Sequence, residues 1–392
     1  MNPSNTALKL ALAGLVALAI AQGVGRFAFT PLLPIMQADA GLGLAQGGWL
    51  ASVNYLGYML GALAASFIRW KTLTLLRVGL AFVIITTALM GLTHFFPVWL
   101  VWRFIAGFTS AFVLVGTTAL CLGKLARQGK SNLAGVVFAG VGVGMTLAGL
   151  LCLGLGLAGV PSQAIWLVLA VVSLLALPLT AALGKDNPPS PAPATQAGPG
   201  TSGPPQRGPT RVLIACYALF GIGYILPATF LPAQARQLID NPALFGLAWP
   251  VFGITAAVST LLVGPLTRKY SRRHIWSVSQ LIMAVGVALP ALYHSLLSII
   301  IASICVGGTF MVISMAGMQE AQAVDPANPQ RLIGQLTTAF GLGQLVAPVL
   351  FSLGNSLLGI GLNHALLAAT AALLISSLWL VLTRSSSAES AS

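Results

Sequence analysis

Along the chain, long apolar stretches alternate with short breaks that hold nearly all of the charge. An α-helix of about twenty apolar residues crosses the roughly 30 Å hydrocarbon core of a bilayer. On that measure the sequence predicts twelve membrane helices. Six lie near residues 8–36, 47–68, 73–93, 97–120, 132–158 and 163–183. The other six lie near 211–232, 243–266, 275–293, 296–318, 332–357 and 362–383. The first stretch has the outline of a signal peptide, with Lys9 ahead of an apolar run and small residues at Ala19 and Ala21. Its apolar run continues to about Met36, so it is expected to remain as the first helix.

The charge in the breaks is one-sided. With the N-terminus inside, all but three of the 19 Lys and Arg residues fall on the side of the termini. Arg236 falls on the other side, and Arg26 and Arg103 lie inside predicted spans. Basic residues are retained on the cytoplasmic side during insertion. The expectation is therefore a multi-pass protein of the bacterial inner (plasma) membrane with both termini cytoplasmic. The net charge of +13 is then a topology signal and not a nucleic-acid surface. Composition agrees: 57% of residues are hydrophobic and 6% charged, against about a quarter charged in soluble domains. Cys121, Cys152, Cys216 and Cys305 all fall in apolar helices and read as packing residues. His94, His274, His294 and His364 sit at scattered helix ends, so neither a metal nor another cofactor is expected.

The two sets of six helices resemble each other. Gly23-Val-Gly25-Arg26 in helix 1 is matched by Gly221-Ile-Gly223-Tyr224 in helix 7, and each is followed at one spacing by Leu-Pro. Gly107 is matched by Gly308, and Gly140 and Gly142 by Gly341 and Gly343, at a nearly constant offset. Between the sets, residues 184–210 are rich in Pro, Gly, Ser and Thr and read as a tether. The expected organisation is an N-terminal bundle over 1–183, a flexible cytoplasmic linker over 184–210, a C-terminal bundle over 211–383 and a cytoplasmic tail over 384–392.

Three segments carry a more specific likeness: Gly23 through Pro34, Gly308-Thr-Phe-Met311 through Glu320, and Thr338-Ala-Phe-Gly-Leu-Gly-Gln344 through Pro348. With them the chain resembles the major facilitator superfamily and, within it, the YbfB/YjiJ family. The resemblance implies an all-α membrane fold of two pseudo-symmetric six-helix bundles that transports a small molecule by alternating access. Arg103-Phe-Ile-Ala-Gly107 resembles the Arg-x-x-x-Gly motif of proton-coupled antiporters, and the helix 5 glycines come close to the antiporter pattern. The positions expected to serve conformational gating are Gly61, Gly107, Gly140, Gly144, Gly264, Arg268, Arg272, Arg273, Gly341 and Pro348. The chain departs from the superfamily where an acidic residue should follow helices 2 and 8. Ala65 and Arg268 stand there, which leaves Glu320 and Asp325 as partners for the basic cluster.

Arginines within a span normally face water or a partner. Arg26 and Arg103 are therefore the leading substrate-binding candidates. Helical spacing adds Gln22, Asn54, Tyr58, Tyr217, Tyr224, Thr337 and Gln344. No Asp or Glu lies within a predicted span, so the candidates for proton coupling are Asp39, Arg103 and Glu320. The expected function is a secondary active transporter, proton-driven, exporting small organic solutes. The alternative is a carrier of organic anions held by Arg26 and Arg103. Neither an enzyme's nucleophile–base pair nor an ATP-binding P-loop is present in the sequence. The expected surroundings are a small-molecule substrate, protons and the lipid bilayer, with the chain working as a monomer.

Overall fold

The computed structural model describes residues 3–184, 207–238, 242–293 and 295–383. Most of the expected linker and all of the tail lie outside the described residues, as do Asp240, His294 and the side chain of Arg236. Among the described residues the secondary structure is entirely helical. In lipid every backbone N–H and C=O must be satisfied within the chain, and a helix does this inside one segment. The twelve spans are α1 (Asn5–Asp39), α2 (Gln46–Phe67), α3 (Thr72–Leu92), α4 (Phe96–Arg127), α5 (Ser131–Leu157) and α6 (Ser162–Gly184). They continue with α7 (Thr210–Thr229), α8 (Leu247–Arg268), α9 (Arg272–Leu292), α10 (Leu296–Val324), α11 (Pro329–Leu358) and α12 (Leu362–Leu382).

Each predicted apolar stretch has its helix, and the differences lie at the ends. Helix α4 extends through Lys124 to Arg127, and α10 extends through Glu320 to Val324. Hydropathy reads only the part of a helix inside hydrocarbon. The polar turns beyond it keep their helical hydrogen bonds because Ala, Leu, Lys, Gln and Glu are good helix formers. Trp49, Trp99 and Trp166 fall near helix ends in the sequence and read there as interfacial anchors; Trp49 is exposed, whereas Trp99 and Trp166 are buried in an apolar cluster with Phe29, Leu32 and Met36.

Helices α1–α6 and α7–α12 form two halves with repeated internal pairings. In the first, Gly140 and Gly144 of α5 lie against the backbone of Leu15 and Ala19 in α1. In the second, Gly343 of α11 lies against Ala218 and Ile222 in α7. Two seams join the halves. At one, Gly135 and Gly142 of α5 meet Thr260, Gly253 and Ala257 of α8; at the other, Gly341 of α11 meets Met59 of α2. Side chains are absent where the backbones come closest, as small-residue packing in membranes requires.

Candidate functional site

The site begins with a defect in α1. The sequence predicts an unbroken helix over 8–36, but the bonding slips one residue between Ala19 and Val24 into a π-helical turn. The N–H groups of Gly25 and Phe27 reach back to the carbonyls of Ile20 and Gln22, each at 3.0 Å. Within the turn Gly23 sits against the backbone of Gly144, where a side chain would collide, and past it Pro31 has no N–H for the Phe27 carbonyl, which accepts from Thr30 instead at 3.2 Å. Local π-turns widen a helix and re-aim its side chains. Here the slip leaves Arg26 buried between the halves, with 4% of its surface exposed.

The other arginine occupies the gap in this bonding. Arg103 of α4 donates from Nη1 to the Gly25 carbonyl at 3.2 Å and from Nη2 to the Arg26 carbonyl at 3.3 Å. Its guanidinium also lies 4.7 Å from the Phe29 ring centroid. In turn, Asn54 of α2 donates to the carbonyl of Arg103 at 2.8 Å. Arg103 and Asn54 thus hold α1, α2 and α4 together around the broken turn.

Arg26 faces a narrow cavity of about 30 Å³ between the halves, room for a single water. Gln22, Tyr58, Tyr217 and Tyr224 line it too, as the sequence predicts. The guanidinium carbon lies 3.8 Å above the Tyr58 ring centroid, a cation–π contact. Arg26 Nη2 donates to Oε1 of Gln344 in α11, across the boundary between the halves. Its Nε has no partner, and neither has Nε2 of Gln344. No carboxylate among the described residues lies near: Asp39, Glu320 and Asp325 are all at helix ends.

Two predicted contacts fall elsewhere. Thr337 turns its hydroxyl back to Ile333 of its own helix at 2.8 Å, and Asn54 is engaged as described. The cavity wall also contains Phe27, Phe310, Met311, Ser314, Met318 and Phe340, which polar-face reasoning does not select. Met311, Met315 and Met318 are spaced as one helical stripe in the sequence, a signal for this face of α10; Met311 and Met318 line the cavity, while Met315 is buried away from it. Phe310, Phe340, Tyr217 and Tyr224 form a mutually packed aromatic group, with the Tyr224 and Phe310 rings stacked at 5.2 Å.

The remaining candidates lie away from the cavity. The Asp39 carboxylate accepts the backbone N–H and, at 2.9 Å, the hydroxyl of Ser162, capping the start of α6. Glu320 accepts from Arg273 Nε at 2.6 Å and Arg272 Nε at 3.3 Å. That pairing joins α9 to α10 inside one half and does not bridge the two halves. Asp325 accepts the N–H of Asn328. The halves meet at the terminal end through other groups. Arg268 donates to Asn132 at 2.7 Å, and Gly264 lies against Asn132 and Gly135. Gln330 of α11 donates to the carbonyls of Ala65 and Ile68 and accepts from Thr72. Gly61 and Gly107 belong to the α2–α4 crossing, against the backbones of Phe108 and Asn54. Pro348 lies within α11 and has no N–H to give the Gln344 carbonyl one turn back.

Comparison with known proteins places this arrangement. The profile of a family described as "Uncharacterised MFS-type transporter YbfB" matches residues 18–381. Over 93 residues the chain is 37% identical to the "Uncharacterized MFS-type transporter YceJ" of Bacillus subtilis (strain 168). That match covers 23% of this chain and 24% of the relative's length. The crystal structure of the human organic anion transporter MFSD10 (TETRAN) superimposes with a TM-score of 0.71 at 15% identity. It covers 97% of this chain and 100% of that one, a likeness of fold.

Proposed function

We propose, from the premise that the chain belongs to the YbfB family of major facilitator transporters, that it is a secondary carrier of small organic anions working by alternating access. One observation carries this reading: a buried guanidinium, Arg26, faces the cavity between the halves with an unpartnered Nε and no carboxylate nearby among the described residues. A central arginine costs roughly 2.5–3.5 kcal/mol on insertion scales, and an anionic ligand supplies the missing counter-charge. The wall of Tyr217, Tyr224, Phe310 and Phe340 suits the carbon body of such a ligand, and the guanidinium suits its acidic head. The name of the human structural neighbour, an organic anion transporter, agrees with this class.

The basic residues favour a bacterial inner-membrane protein with cytoplasmic termini, its two bundles joined by the Pro- and Gly-rich tether. A negative-inside potential then drives a monoanion outward with about 2.3 kcal/mol per 100 mV, roughly fifty-fold accumulation. Export therefore needs no proton, and Asp39 and Glu320, each bonded at a helix end, take no part in it. The aromatic and methionine wall also fits neutral drug-like solutes, which would leave Arg26 without a counter-charge. Proteoliposomes with a clamped potential separate the two. Transport of at least one carboxylate from an aromatic and aliphatic panel should follow the voltage and fall about ten- to a hundredfold in Arg26→Gln, the loss of a charge-assisted bond. Voltage-independent transport of neutral solutes only, unchanged in Arg26→Gln, would sink the anion reading.

A further inference from the structure

Arg26 belongs to the first half and Gln344 to the second, so the hydrogen bond between them spans the boundary that must open and close during transport. Gln344 is 1% exposed and its amide nitrogen is unpartnered, so the side chain is placed for the sake of its oxygen. The next turn of α11 holds Pro348, and the resulting free carbonyl loosens the helix where Gln344 reaches across. The cavity beside the pair is about 30 Å³, which leaves no space for a solute. The carrier is closed around its centre with the amide oxygen on the guanidinium.

We infer that Gln344 is an internal stand-in for the substrate's anionic group. When the site is empty, its amide oxygen occupies the cation and lets the two halves come together without a ligand. This inference rests on Arg26 being the anion-binding group. A neutral oxygen is a weaker acceptor for a guanidinium than a carboxylate, which adds a full opposite charge and can accept two parallel N–H bonds. An entering organic acid therefore displaces it, while departure of the acid restores it. Without the stand-in, closing the empty carrier buries the guanidinium with no acceptor from the second half, which adds an unmade hydrogen bond to the cost of a buried charge. The consequence is a carrier that completes its return step empty and so performs net transport, not obligatory exchange.

The test reads the empty carrier and needs no substrate. Ser314 lines the cavity, and Ser314→Cys, combined with Cys305→Ser, offers a thiol to a membrane-impermeant methanethiosulfonate reagent in the full-length purified protein. In Gln344→Leu the labelling rate should rise several-fold, because the empty site stays open. In Gln344→Glu it should fall below the parent rate, because a fixed carboxylate holds the cation more strongly. In an Arg26→Gln background, Gln344→Leu should have no further effect, which separates lost pairing from general loosening. Equal rates in the three Gln344 forms, or an equal rise from Gln344→Leu with and without Arg26, would overturn the inference. Neither result depends on which solute is carried, so the anion reading stands or falls separately in the flux assay.

Discussion

Arg26 and Arg103 are alike in the sequence: one guanidinium each, inside a span. Their surroundings divide them. Arg103 gives both terminal nitrogens to backbone carbonyls at the break in α1, whereas Arg26 has an unpartnered Nε beside the cavity. Removing Arg103 leaves two buried carbonyls without donors, at about 1–3 kcal/mol for each unsatisfied group. Arg103→Gln should therefore lower the melting temperature of the detergent-solubilised protein and also weaken anion binding, because Arg26 sits on the turn it holds. Arg26→Gln should weaken anion binding about ten- to a hundredfold, the loss of a charge-assisted bond, while leaving the melting temperature at or above that of the parent. Thermal unfolding of the two variants side by side checks this, and an Arg103→Gln protein as stable as the parent would refute it. The sequence places both arginines inside spans, but Arg103's partners exist only because α1 slips into a π-turn. Hydropathy does not register such a slip. Thr337 and Asn54 show the same limit, since a polar residue on an apparently inward face also serves its own helix or the neighbouring backbone.

The elements themselves were largely legible, because length and apolarity determine what crosses a bilayer and the Gly-x-Gly repeats align α1 with α7 and α5 with α11. What a linear pattern cannot show is that α5 uses two glycine faces for two purposes. Gly140 and Gly144 pack on α1 within the half, while Gly142 lies between Gly253 and Ala257 of α8 in the other half. A methyl group at 142 meets backbone atoms on α8, which have no rotamer to move aside. Gly154 of the same helix has open space where its side chain would be. Overpacking typically costs 1–3 kcal/mol, and here it falls on the seam between the moving halves. Gly142→Val should insert normally yet reduce transport about tenfold or more, and Gly154→Val should transport like the parent. Quantified membrane expression alongside flux decides it; a Gly142→Val carrier of normal activity would show that α5 and α8 do not stay closely packed through the cycle.

At the scale of the whole molecule, the missing carboxylates after α2 and α8 make sense once the closing contacts are seen. Gln330 of α11 donates to the Ala65 carbonyl at 3.1 Å, so the main chain at that position accepts the bond an acidic side chain would have taken. The Ile68 carbonyl, the Thr72 hydroxyl, Gln319 bonding to Ser131, and Arg268 bonding to Asn132 complete a latch in which no pair joins opposite charges. That latch was out of reach from the sequence, which offered Glu320 and Asp325 as partners for the basic cluster; Glu320 does pair with Arg272 and Arg273, but within the second half, and Asp325 accepts from Asn328. A latch of amides and carbonyls differs from an ionic one in its response to salt. Raising the ionic strength from about 0.15 M to about 1 M shortens the Debye length from roughly 8 Å to roughly 3 Å and weakens exposed ion pairs. Here it should leave the closed population undiminished, since none of these bonds between the halves joins opposite charges. Gln330→Leu removes three bonds of about 1 kcal/mol each and should shift the population toward separation at this end. Spin labels at positions 69 and 331 report both effects: a longer distance distribution in Gln330→Leu, and no lengthening with salt in the parent. Salt-induced lengthening in the parent would mean that an ion pair between the halves, not this neutral latch, keeps the terminal end shut.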